Sequence, residues 1–511
     1  MFRWITILIV CAATHAPITI ASDQSTLAEL VERGNVMEIS AALQAGNFTS
    51  RALTKHYLDR IDRYDEEYRA ILAINPNAES DAIKTDEMRS QGSRAPLLGI
   101  PVLIKDNIET RELPTTAGAL ALRGNRTNRD APLIAQLRKA GAIILGKTNL
   151  SEWANFRSER SSSGWSTVGG QTRNPYDPLR TPCGSSSGSG AAIAARFAPL
   201  AIGTETNGSI VCPSHVQGLV GFKPTVGLVS QTHIVPISAS QDTAGPMALD
   251  VDSARQLFLA ISNQSTLGEP LSRSKPTQPA ELRLGIVRSA TGYHERVDET
   301  FNTTIEQLGD HGVTLVDELT LKPSYDGFYD DTYLVLLWEF KEGLNAYLSN
   351  LPAPMPVDSL ESLITFNRQH ADEALRYFPQ DIFERAASLT PIDAPRYLAA
   401  RQRVQQETRT AIRSLIQEHR LHGLIAPSGG PAWSIDRITG DRFLGGFSTY
   451  AAVAGFPHLT LPMGSVFHLP VGLSIIAEAN ADQSVLAVGR AIEQILRVRL
   501  RATLIDPAHN S

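Results

Sequence analysis

CGSSSGSGAAIAARFAPLAIGTETNGS, residues 183–209, reads as a loop, a helix, a strand and a turn in immediate succession. The first part is a Ser/Gly run. "GAAIAARFA" is a helix of small residues, "PLAIGTE" an apolar strand, and "NGS" a turn that presents Ser209. The wider stretch 157–190 is dense in Ser, Gly, Thr and Pro, a composition shared with linkers. Helix–strand units flank it on both sides, so it is expected to be an ordered loop at a functional site.

Upstream, "DAPLIAQLRKAGAIILGKT" (130–148) repeats the helix-to-strand pattern. Asp130 is expected to cap, Pro132 to sit in the first turn, Gly141 to close the helix and 142–145 to form a short buried strand. Before it, "PLLGIPVLIKD" (96–106) is a continuous apolar run that ends in Lys105 and reads as a buried strand. Pro101 within it argues for a sheet edge or an irregular strand end. Further out, "SRALTKHYLDRIDRYDEEY" (50–68) places Leu53, Tyr57, Ile61 and Tyr64 at helical spacing, with Ser50 as the expected N-cap. Residues 482–499 form an amphipathic helix with Val485, Val488, Ile492 and Ile495 on one face. Helices alternating with short apolar strands predict an α/β fold with a parallel or mixed sheet. The expected organisation is one domain over 22–511, with its motifs in 95–250 and a polar, Pro-containing connector over 262–283.

Three residues carry the chemistry: Lys105, Ser185 and Ser209. A serine hydroxyl is a weak nucleophile unless a base takes its proton. No histidine lies in the three motifs that hold these residues. Ser209 follows Asn207-Gly208 at a strand exit, and glycine there permits a turn that aims successive N–H groups at one point. The N–H groups of Thr206, Asn207, Gly208 and Ser209 are the candidate donors for an oxyanion. Lys105 ends an apolar strand, where low polarity favours the neutral amine. Its pKa must fall from about 10.4 to roughly 7–8 for it to act as a base at neutral pH. Asp106 alternates to the other face of the strand. A hydroxyl both donates and accepts, so Ser185 can relay a proton between Lys105 and Ser209.

The segment "CGSSSGSGAAIAARFAPLAIGTETNGSIVCPSHVQGLVGFKPTVGLVS" resembles the defining segment of the amidase signature family, and "GIPVLIKDNIET", "GKTNLSEWANF" and "SQDTAGPM" resemble its other blocks in order. Near the C-terminus, "APSGGPAW" and "AAVAGFPHLTLPMG" extend the likeness over nearly the whole chain. Within the family, "PCGSSSGSG", "TETNGSIVCP" and "LLWEFKEGLNAYL" resemble bacterial peptide amidases. The resemblance implies a central mixed β-sheet covered by helices on both faces. It also implies a Ser–cisSer–Lys triad with Ser209 as nucleophile, Ser185 as the cis serine and Lys105 as base. The implied activity is hydrolysis of carboxamides through an acyl-serine, the C-terminal amide of peptides being the expected substrate. Lipid-like or aryl amides, or a role within the amidotransferase of a tRNA-modifying complex, are the alternatives. No metal or organic cofactor is implied.

The remaining features bound the cell biology. A formal net charge of −6 without a Lys/Arg block points away from nucleic acid. Arg3, the apolar run 5–13 and "TIA" before Ser22 read as an export signal over 1–21, with a periplasmic or secreted product and no stable membrane association after cleavage. Cys11 leaves with that signal. Cys183 and Cys212 remain, each within three residues of a motif serine, either as a disulfide or as two thiols lining a tight site. Gly184–Gly188 also spells G-x-S-x-G, which would make Ser186 a nucleophile, but that motif needs a preceding strand and "YDPLRTP" is a poor one. Pocket walls are expected around 338–347 and Trp433.

Overall fold

The computed structural model describes residues 21–263, 278–352 and 354–506. The export signal expected over 1–21 lies outside these residues except for Ala21, as does most of the 262–283 connector. Among the described residues, eleven strands form one mixed sheet. Their spatial order is Ile71–Ile74, Ile143–Thr148, Pro101–Lys105, Leu200–Glu205, Thr243–Ala248, Val220–Lys223, His458–Val466, Leu469–Ile476, Gly423–Pro427, Arg283–Val287 and Thr314–Leu319. The pairs Ile143–Thr148 with Pro101–Lys105 and Pro101–Lys105 with Leu200–Glu205 are parallel. The middle of the sheet is antiparallel, and its far end returns to parallel pairing. Strands buried on both faces carry unbroken apolar runs for that reason; every residue of Pro101–Lys105 and Leu200–Glu205 is buried.

The parallel register of these two strands positions the chemistry. Val102 lies opposite Leu200 and Ile104 opposite Ile202, so the chain leaves both strands on the same side of the sheet. Lys105 ends one strand, and the other runs into the turn that carries Ser209. Helices such as Val251–Ile261, Glu295–Asp310 and Asp482–Leu496 bury an apolar stripe in the core around the sheet. A satellite cluster joins Trp153 and Phe156 to Phe340, Leu360 and Phe383 of helices Phe328–Ser349, Leu360–Gln369 and Asp381–Ser388.

Local details differ from the sequence reading at several points; the helix expected over 190–198 is Ser187–Ala194, and that expected over 482–499 is Asp482–Leu496. Pro101 opens an interior strand rather than an edge, and the expected irregular strand end is present: it is the first residue, and the register shifts between Val102 and Leu103. Helix Ser50–Tyr68 is capped by Thr49, whose Oγ1 accepts from Ala52 N at 3.1 Å, while Ser50 Oγ accepts from Arg89 at 2.8 Å. Asp130 does not cap helix Pro132–Lys139; it accepts from Arg111 N and pairs with Arg138. The strand after Gly141 is Ile143–Thr148, displaced toward the C-terminus of the expected 142–145.

Candidate active site

Lys105 is fully buried, and its Nζ lies 2.8 Å from Ser185 Oγ, 3.0 Å from Ser186 Oγ, 2.8 Å from Thr204 Oγ1 and 3.2 Å from Thr204 O. Among the described residues no carboxylate forms an ion pair with it. Burial pushes its amine down to about 7, against the opposing pull of Asp242 and Glu205. Asp106 is turned away, as strand alternation requires. It pairs with Lys147 at 2.8 Å and accepts from the backbone and hydroxyl of Thr116.

The Gly184–Ser185 peptide is cis, and Ser185 is fully buried against Lys105. Ser186 is not placed as a nucleophile. Its hydroxyl donates to Thr204 O at 3.1 Å, its N–H donates to Ser209 O at 3.1 Å, and no strand precedes it.

Ser209 follows Gly208, whose φ of +80° is the left-handed conformation that favours glycine. Glu205, buried at the strand end, accepts from Ile210 N at 2.7 Å and Val211 N at 2.9 Å. The four N–H groups before these, from Thr206 to Ser209, donate to no protein acceptor among the described residues. The side chains around them are otherwise engaged. Thr206 Oγ1 donates to Asp242 at 2.5 Å, and Asn207 bonds to Ser448 and Thr449. Asp242 also accepts from Ile237 N and Ser238 N, and burial raises it to about 6. Ser185 and Ser209 are not directly hydrogen-bonded, and Ser209 Oγ makes no hydrogen bond among the described residues.

Cys183 and Cys212 form a disulfide with Cα atoms 5.9 Å apart. Of the two readings left open by the sequence, the disulfide is the one the structure holds. The disulfide lines a cavity of about 240 Å³ whose wall also includes Asn155, Gly208, Trp433, Asp441 and Phe443. Trp433 lies in the wall as the sequence predicts. The 338–347 segment does not, and Trp338 instead stacks on Tyr397. Sequence reasoning misses Thr204 and Ser186 as partners of Lys105, and Asn155, Asp441 and Ser448 in the cavity wall. Only strand register and distant loops bring these together.

Residues 52–486 match the family model for Amidase. The chain belongs to the amidase family. The native peptide amidase of Stenotrophomonas maltophilia is similar in structure, with a TM-score of 0.85 and 40% identity over 92% of this chain and 98% of that one. An amidase family protein from Bacillus anthracis gives a TM-score of 0.83 and 31% identity over 96% and 95%. One component of the glutamyl-tRNA(Gln) amidotransferase of Thermobifida fusca is 32% identical over 92% of this chain and 97% of its own length. The enzyme is a hydrolase acting on amide C–N bonds, built on the α/β fold that the sequence predicts.

Proposed function

We propose that the enzyme removes the C-terminal amide of peptides, with Ser209 as nucleophile, Ser185 as relay and Lys105 as base. The observation that carries the mechanism is a buried amine, pushed down to about 7 and bonded to Ser185, near a turn whose N–H groups donate to no protein acceptor among the described residues. Ser209 Oγ attacks the amide carbon as its proton passes through the Ser185 hydroxyl to the neutral Lys105 amine. The tetrahedral oxyanion is held by N–H groups from Thr206, Asn207, Gly208 and Ser209. The same proton returns through Ser185 to the departing nitrogen, which leaves as ammonia. Water then repeats the sequence on the acyl-serine and releases the peptide acid.

The peptide substrate rests on 40% identity to a peptide amidase over nearly both full chains. A location outside the cytoplasm rests on the N-terminal signal pattern and on the disulfide beside the site, a bond that persists in oxidising compartments. The test is ammonia release from a panel of peptide amides and fatty amides, alongside aniline release from anilides. Peptide amides are expected to give the highest kcat/KM. Preference for a fatty amide or anilide would replace the substrate, and ammonia transfer to a partner-bound tRNA would replace the reading with the amidotransferase one.

A further inference from the structure

We propose that the 428–448 loop is the specificity element of the site, and that Trp433 and Phe443 form an apolar subsite for the side chain of the residue carrying the scissile amide. This rests on the peptide-amide reading and narrows it to amides borne on aromatic or branched aliphatic residues.

The loop joins strand Gly423–Pro427 to helix Thr449–Ala454. Connections beyond about 12–15 residues without regular structure are commonly functional. It contributes Ser428, Trp433, Asp441, Phe443, Gly446 and Ser448 to the wall of the 240 Å³ cavity that contains Gly208. The loop is fixed from inside. The Asp441 carboxylate accepts from Ser163 N at 3.1 Å, Ser163 Oγ at 2.5 Å and Trp433 Nε1 at 3.1 Å. A bridge between Gly429 and Gly446 closes its base. With its N–H satisfied, the Trp433 indole offers only apolar surface to the cavity. Phe443 meets it edge-to-face, with centroids 5.8 Å apart, yet remains 54% exposed.

The apolar surface continues outward. Leu444, Ile438 and Leu179 are 53%, 89% and 75% exposed, and Leu179 O accepts from Ile435 N, which sets the two segments side by side. Single exposed apolar residues are ordinary; several grouped on one loop beside a cavity mark a binding surface. Charge points the same way. Among the described residues the cavity wall holds no Lys or Arg, and its one carboxylate, Asp441, is committed to Ser163 and Trp433. An acidic side chain next to the amide meets no counter-charge there. An apolar side chain loses water-exposed surface, an effect of about 10–200-fold in hydrophobic enzyme pockets.

The measurement is kcat/KM for ammonia release from N-acetyl-glycyl-X-amides with X as Gly, Leu, Phe or Asp. For the wild-type enzyme, Phe and Leu are expected to exceed Gly by about tenfold or more, with Asp the poorest. Phe443→Ala should cut the Phe/Gly ratio to about two- to threefold, and Phe443→Leu should restore most of it. Phe443 is half exposed, so the fold should survive both changes. Equal rates for Gly, Leu and Phe, or a ratio untouched by Phe443→Ala, would overturn the subsite while leaving the peptide-amide reading intact. If none of the peptide amides is cleaved while an anilide is, as read by aniline release, both fall together.

Discussion

Two lysines on neighbouring parallel strands, Lys105 and Lys147, are fully buried and stand in opposite settings. Lys147 has Asp106 at 2.8 Å and is held as a buried ion pair; Lys105 faces hydroxyls and a carbonyl. Burial pushes both amines down, but Asp106 pulls back directly on Lys147, whereas Lys105 has no such ion pair and is pushed down to about 7. Activity is therefore expected to rise through about pH 7 and stay high in mildly alkaline buffer, since the base works only when neutral. The sign for stability follows from the same depression. Between about pH 7 and the unfolded value near 10.4, the unfolded chain holds a proton that folded Lys105 does not, so this group's contribution to stability rises with pH. Lys105→Ala should lower kcat by about 10²–10⁴. A rate profile set by a group near pH 4, or an unchanged rate in the variant, would remove Lys105 as base. The place of Lys105 at a buried strand end is legible in the sequence because an apolar run ends on it. Its bonds to Ser186 and Thr204 are not, because they depend on the register between strands far apart in the chain.

At the scale of elements, the two serine loops are tied together by the Cys183–Cys212 disulfide and by the Ser186 N–H bond to Ser209 O. Glu205 grips the N–H groups just past Ser209, and Asp242 grips the turn through Thr206. Closing a loop over a sequence separation of 29 removes unfolded-state entropy worth about 3–4 kcal/mol in the chain-entropy account. Reduction, or the Cys183→Ser/Cys212→Ser pair, is therefore expected to lower urea-unfolding stability by up to that amount and to slow turnover by loosening the cavity wall. Unchanged stability and rate in the double variant would show that packing alone holds the two loops. In sequence, two nearby cysteines leave both a disulfide and free thiols open; only their Cα separation decides. Element ends depart from the local pattern where side chains have stronger partners than the nearby backbone. Asp130 goes to Arg138, and Thr49 displaces Ser50 as the cap.

Across the whole molecule, helices alternating with strands specify α/β, and the order of motifs specifies the family. The strand order is not legible. Ile71–Ile74, His458–Val466 and the Arg283–Val287 group join one sheet through long crossovers that leave no local trace in sequence. The cavity wall shares that obscurity, since it draws on the 183–212 segment and on the 428–448 loop more than 200 residues later. This architecture is expected to deliver Ser209, and not Ser186, to the substrate carbonyl. Labelling with a fluorophosphonate probe, followed by peptide mapping, tests it directly. The adduct should sit on Ser209 and vanish in Ser209→Ala. An adduct on Ser186, or full labelling of Ser209→Ala, would contradict the assignment.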